Sequence, residues 1–235
     1  MSWFSRLFGR SQPVVNAPTL AGKRDFSALP RADFAEFTPD PTTFLAQAAY
    51  IQLEIFENLA RAVSAAPSVA EKELLTKVAA NSLRKQRKLS KLLRHSGVNP
   101  AEAMAPFAPA IDAFRVQTAG SDWWELLVSS YVTAGILDEF FLGLAAGLPN
   151  SEAVVAILSG PGADEVLAGI VLAGIQDDPE LASRLALWAR RLVGDTLLVA
   201  RSALAGETSF ENVEPVFTEL ISGHSRRLDA LGLTA

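Results

Sequence analysis

From Pro41 onward, apolar residues recur at steps of three and four, and no stretch alternates apolar with polar between turn residues. That pattern predicts helices and no strands. Asp40-Pro41 opens a first helix running to about Ala65, because Pro is tolerated in a first turn. Ser68-Val69-Ala70-Glu71 has the spacing of a capping box, so a second helix runs to Ser96 and Gly97 closes it. Asn99-Pro100 opens a short helical piece that Pro106 and Pro109 interrupt. Ser121 is expected to cap a third long helix ending near Gly147-Leu148-Pro149. A fourth starts at Asn150 or Ser151 and ends near Gln176. Asp178-Pro179-Glu180 starts a fifth, expected to reach Gly206. A last one covers about Asn212–Leu231, with a break expected at Gly223. The fold class is all-α: long helices joined by short turns, an antiparallel bundle with additional C-terminal helices.

The first forty residues read differently. In Met1–Arg10, Trp3, Phe4, Leu7 and Phe8 fall at helical spacing on one face, with Ser5, Arg6 and Arg10 elsewhere. From Ser11 to Pro41, five prolines punctuate the chain and no helical period survives, which predicts an extended arm. Phe26, Phe34 and Phe37 suggest that the arm lies against the body. The division expected is an amphipathic segment plus Pro-rich arm over 1–41 and a helical domain over 42–235. Trp3, Phe4, Leu7 and Phe8 either fold back on the bundle or form a docking segment for a protein partner or a membrane surface.

Composition narrows the chemistry. Hydrophobic residues are 49% and charged residues 20% of 235, which is globular rather than disordered. Net charge is -5, so the overall field does not favour nucleic acid or anionic lipid, and either would need a local basic patch. There is no Cys, which removes disulfides, thiolate metal sites and Cys nucleophiles and fits a cytoplasmic protein. The uncharged stretches Leu126–Leu137 and Phe140–Ser151 are shorter than the roughly 18–20 residues of a membrane span, so no transmembrane segment is expected.

A helical bundle raises the question of a carboxylate-bridged di-iron centre, which takes a Glu from each of two helices and Glu-x-x-His from each of two others. The chain has only His95 and His224, preceded at three residues by Leu92 and Ile221, so neither completes that motif. Gly160-Pro161-Gly162 follows a helix rather than a strand and is no phosphate-cradling loop. One charge cluster stands out: Arg84, Lys85, Arg87, Lys88, Lys91 and Arg94 are six cations in eleven residues. Arg84, Arg87, Lys88, Lys91 and Arg94 are candidate contacts for an anion or an acidic partner, or simply a solvated face. Trp123-Trp124 is expected to pack on the core.

The segments NPAEAMAPFAPAIDAF (99–114), SDWWELLVSSYVTAGI (121–136) and ALWARRLVG (186–194) resemble the actinobacterial ferritin-like proteins. Those are similar to the di-iron tRNA 2-methylthio-N6-isopentenyladenosine hydroxylases. The resemblance covers roughly Thr42 to Leu198. It implies a ferritin-like bundle with a metal between its first four long helices. Carried over, it places the ligand positions at Gln52, at Ser82 and Lys85, at Ala134, and at Gly160 and Ala163, none of which is a His or a carboxylate. It therefore implies a degenerate site with no cofactor, and a non-catalytic binding or scaffold protein with a protein partner. The alternatives are an active di-iron hydroxylase using other ligands, or a metal-free RNA-binding module. Glu54, Glu57, Asp138 and Glu139 lie near enough to be displaced ligands, or else are solvated or ion-paired carboxylates. Lys85 either replaces the metal's charge by pairing with Asp138 or Glu139, or snorkels to the surface.

Two packing expectations follow. Leu75, Ala79, Ser82, Gln86, Leu89 and Leu93 should face the bundle axis, with Ser82 and Gln86 forming an interior polar patch. Pro161 between two glycines should split the fourth helix into Ser151–Leu158 and about Ala163–Gln176.

Overall fold

Three Asx-Pro pairs set helix starts in the computed structural model, which describes residues 33–204 and 210–233. Asp40 accepts from the N–H of Thr42 and Thr43, Asn99 from Ala101, and Asp178 from Leu181, each with Pro as the first helical residue. The side chain satisfies an orphan donor and Pro supplies the helical φ. The helices are α1 (Pro41–Ala65), α2 (Val69–His95), α3 (Pro100–Met104), α4 (Ala108–Thr118), α5 (Trp123–Ala145), α6 (Glu152–Leu158), α7 (Asp164–Ile175), α8 (Pro179–Ser202) and α9 (Phe210–Ala230). No strand occurs among the described residues.

The Ser68–Glu71 capping box forms in both directions. Gly97, at φ 76°, ends α2 in the left-handed conformation that Gly adopts without strain, and Val98 N–H returns to Leu93 O. α1 and α2 are a helical hairpin. α5 packs on α1, and α6 and α7 together complete the bundle by packing on both α2 and α5. α8 and α9 are the additional helices, and both lie against α5.

Several boundaries differ from expectation. Asp122, not Ser121, caps α5: its carboxylate accepts from Glu125 N–H, while Ser121 donates through both N and Oγ to Glu125 Oε2. Pro109 does not interrupt a helix but sits in the first turn of α4, where its missing N–H costs nothing. α8 stops at Ser202 rather than Gly206. α9 runs unbroken through Gly223. That glycine is there for space: a Cβ would stand 2.6 Å from Glu139 Oε2. The fourth bundle element divides as expected, at Leu158 and Asp164.

The core is built by Phe44, Ile51 and Leu59 of α1, Leu75, Leu89 and Leu93 of α2, Leu127, Ile136, Phe140 and Leu144 of α5, and Leu167 of α7. Phe34 and Phe37, just ahead of α1, are buried, and Phe34 meets the Phe140 ring at 6.4 Å. Trp123 and Trp124 are half-buried against the core, and Trp124 lies over Gly174. By length and composition α5 would suffice to cross a bilayer, contrary to the estimate from uncharged stretches. Glu125 and the pair Asp138-Glu139 flank an apolar run that this estimate cut short. Here 72% of the most apolar window of α5 is buried against its neighbouring helices. The segment Trp3, Phe4, Leu7 and Phe8, and Phe26 of the arm, lie outside the described residues.

Candidate functional site

The bundle axis is polar at one level. Lys85 on α2 is 5% exposed, and its ammonium donates to Asp138 Oδ2 of α5 at 2.9 Å. Gln52 on α1 donates through Nε2 to the other oxygen, Asp138 Oδ1, at 2.5 Å. Gly160, between α6 and α7, closes the fourth side: a Cβ there would stand 4.0 Å from Lys85 Cε. One residue from each bundle element thus meets at a point. The long stem of Lys85 does not carry its charge to the surface; Asp138 meets it inside. Asp138 itself keeps 27% of its side chain exposed, through a cavity of about 460 Å³ also lined by Tyr131, Gly135, Glu139, Asp164 and Arg227.

The other carried-over positions contribute shape rather than ligand atoms. Ser82 and Ala134 are buried one turn before Lys85 and Asp138, and Ala163 is buried at the start of α7. Leu75, Ala79, Ser82, Leu89 and Leu93 face inward as expected. Gln86 is half-buried and donates to Ser90 Oγ at 2.9 Å.

The neighbouring carboxylates turn elsewhere. Glu139 receives Arg227 Nη1 of α9 at 2.7 Å, and Gly135 and Gly223 leave the room for that pair. Asp164 stands at the cavity mouth; desolvation raises its carboxyl above the usual range, with Asp138 and Glu139 adding and Arg227 and Lys85 opposing. Glu54 faces away from the axis toward α4. It is 5% exposed, with Arg115 Nε at 3.3 Å, Arg61 at 3.7 Å and Asn58 Nδ2 at 2.9 Å. Burial pushes Glu54 up to about 7, with Glu57 adding and Arg115, Arg61 and Asn58 opposing. Glu57 is exposed.

Neither histidine approaches the axis centre. His95 is exposed at the end of α2. His224 is buried on α9, where desolvation and then the Arg227 charge push it down to about 4. Among the described residues, no three His, Asp or Glu side chains come together as a metal-holding group. A di-iron centre does not fit this donor set. An ammonium already neutralises the one axial carboxylate, and the remaining groups are an amide, a hydroxyl and backbone.

Arg84, Arg87, Lys88, Lys91 and Arg94 are all exposed on α2 and form no ion pair among the described residues. Among the described residues, Arg84 donates to Asn81. Lys85 is separated from them by its burial. Two further cavities, of about 520 and 530 Å³, flank α7.

Sequence reasoning did not find Arg115, Arg227, Asp164 or Tyr131. Arg227 lies 88 residues from its partner Glu139, and no local motif announces such a pairing.

Fold and axis together define an all-α ferritin-like bundle with an ion-paired rather than ligand-rich centre. The family model for the ferritin-like domain of actinomycetes matches residues 35–212, and the chain belongs to that family. No curated protein matches the chain.

Proposed function

We propose that this chain is a metal-free ferritin-like protein, a non-catalytic binding or scaffold protein derived from a di-iron ancestor. The observation that carries this reading is the Lys85–Asp138–Gln52 cluster at the point where the four bundle elements meet. An iron centre places cations between carboxylates to hold helices together. In this chain the cation is part of the protein. Lys85 supplies a single fixed charge, Asp138 accepts from two helices, and the bundle needs no loaded metal to close its axis. The resemblance of 99–114, 121–136 and 186–194 to the actinobacterial ferritin-like proteins, themselves similar to di-iron tRNA hydroxylases, supports descent from an oxygenase, and the missing ligands support loss of its chemistry, as in a pseudoenzyme.

The test is the metal content of the purified full chain, before and after anaerobic titration with Fe(II). The expected result is no stoichiometric iron and no iron-dependent gain in thermal stability. A di-iron complement would overturn the reading and restore that of a working hydroxylase.

A further inference from the structure

α7 is apolar nearly all round. From Val166 to Ile175 it carries no charged residue, yet only Leu167, Ile170 and Val171 of the helix are buried. A helix of that composition is ordinarily covered on every side. Part of its surface instead borders the cavity of about 520 Å³, whose walls come from α2, α5 and α7. Leu74, Trp124, Val166 and Ile170 supply its apolar surface. Two glycines of α7 line it in opposite senses. At Gly174 the Trp124 ring takes the place that a Cβ would need, whereas a Cβ on Gly169 would meet nothing within 4 Å. Trp124 is held edge-to-face by Trp123, with ring centroids at 4.7 Å, and Trp123 donates to Ala62 O of α1 at 3.3 Å. The indole is therefore a fixed wall of the cavity, and the room over Gly169 is left open.

The charges select the guest. Among the described residues, Glu71 and Glu165 are the only charged side chains lining this cavity, and neither forms an ion pair. Glu71 gives one oxygen to Ser68 N–H, and Glu165 is exposed. An ammonium is attracted to the face of an aromatic ring, most strongly to Trp, and to carboxylates without a counter-ion. An apolar body on that ammonium would take up the remaining walls. An anion would be repelled, and an uncharged guest would leave both carboxylates unused. A second copy of the chain does not suit the face. Acids stand at both ends of α7, Asp164 and Glu165 in its first turn and Asp177 and Asp178 just beyond it, and two such faces would set like charges together.

We propose that the cavity between α2, α5 and α7 binds a small organic cation, an ammonium carried on an apolar or aromatic body. The site shares no residue with the Lys85–Asp138–Gln52 cluster. Iron in the purified chain would overturn the metal-free reading and leave this one standing.

The experiment is calorimetric titration of the full chain with phenethylamine, with its uncharged counterpart phenethyl alcohol, and with the anion hydrocinnamate. Phenethylamine should bind saturably, phenethyl alcohol roughly tenfold more weakly, and hydrocinnamate not at all. Rising salt should weaken the amine alone. Glu165→Gln should weaken the amine roughly threefold and leave the alcohol unchanged. Gly169→Leu should abolish binding of both by filling the open space. Its far-UV circular dichroism should be unchanged, because no neighbour stands within 4 Å and Leu is the better helix former. No saturable binding of phenethylamine would overturn the proposal, as would undiminished binding by Gly169→Leu. Equal affinity for the alcohol would overturn it in favour of an uncharged apolar guest, a comparison that needs no variant to fold. A dimer in sedimentation equilibrium that Gly169→Leu dissociates would overturn it in favour of a second copy.

Discussion

Two ionic clusters flank α1, and they are built in opposite senses. At the axis the cation is buried: Lys85 has 6% of its side chain exposed and its partner Asp138 27%. On the α4 side the anion is buried: Glu54 has 5% exposed, and Arg115 and Arg61 have 28% and 40%. Each cluster hides one ion and leaves its counter-ion a route to water. The hidden ion cannot recover solvation if its partner is lost, whereas the outer one can. Which member of a pair matters most is thus set by which one is buried, not by its charge.

The sharpest way to break this comparison is Asp138→Asn, which strands the Lys85 ammonium in the axis. It should cost about 3–5 kcal/mol, read from the guanidinium unfolding midpoint. Lys85→Met leaves Asp138 its cavity and should cost only about 1–2 kcal/mol. Equal losses from the two variants would refute the asymmetry.

Glu54 supplies the mirror test through pH. Its folded pKa of about 7 lies above the ordinary 4.5, so folding favours its protonated form. Stability from this group is fullest below 4.5 and falls as pH rises toward 7, by on the order of 3 kcal/mol. Glu54→Gln should remove that slope in urea titrations run across the interval. An unchanged slope would mean that the Arg115 and Arg61 charges fully offset the burial.

His224 runs the other way. Its folded pKa of about 4 lies below the ordinary 6.5, so its contribution is complete above 6.5 and is lost as pH falls toward 4. Between pH 4.5 and 6.5 the two groups oppose each other, which flattens the stability profile of the unaltered chain. His224→Phe should expose the Glu54 slope alone. A profile as flat as before would remove His224 from the account.

The smallest expected effect is at Gly223. Gly223→Ala would push the Glu139 carboxylate off Arg227, losing a partly exposed pair, while Ala regains up to about 1 kcal/mol of helix propensity. The net change should stay within about 1 kcal/mol, with the arginine released rather than the helix broken. A large loss of helicity in far-UV circular dichroism would show that the bundle depends on that pair.

What could be read from the chain follows the range of each interaction. Capping at Asp40, Ser68, Asn99 and Asp178 acts within three residues and was legible, as was the Pro161 break. The inward register of α2 was legible because its apolar repeat is strict on one side and its cations strict on the other. Lys85 was legible only as a choice between two partners and the surface; α5 had to be placed before Asp138 could be selected over Glu139. Gly223 misled because a glycine in a helical pattern signals a break locally, whereas here it admits a side chain from α5. Glu54–Arg115 and Glu139–Arg227 were invisible: pairing between helices far apart in sequence leaves no periodic trace.

The divided fourth element also affects how the bundle opens. α6 has seven residues, no side-chain cap, and only Val154 and Leu158 buried. Helices shorter than about 12–15 residues do not hold by themselves in water, so α6 is helical only while α2 and α5 hold it. It should therefore be the first part of the bundle to exchange its amide hydrogens, well before global unfolding. Since the Gly160 turn at its end lies beside the Lys85 stem, each such opening would admit water to the ammonium. A charge buried at the bundle axis then lies under a short-lived cover.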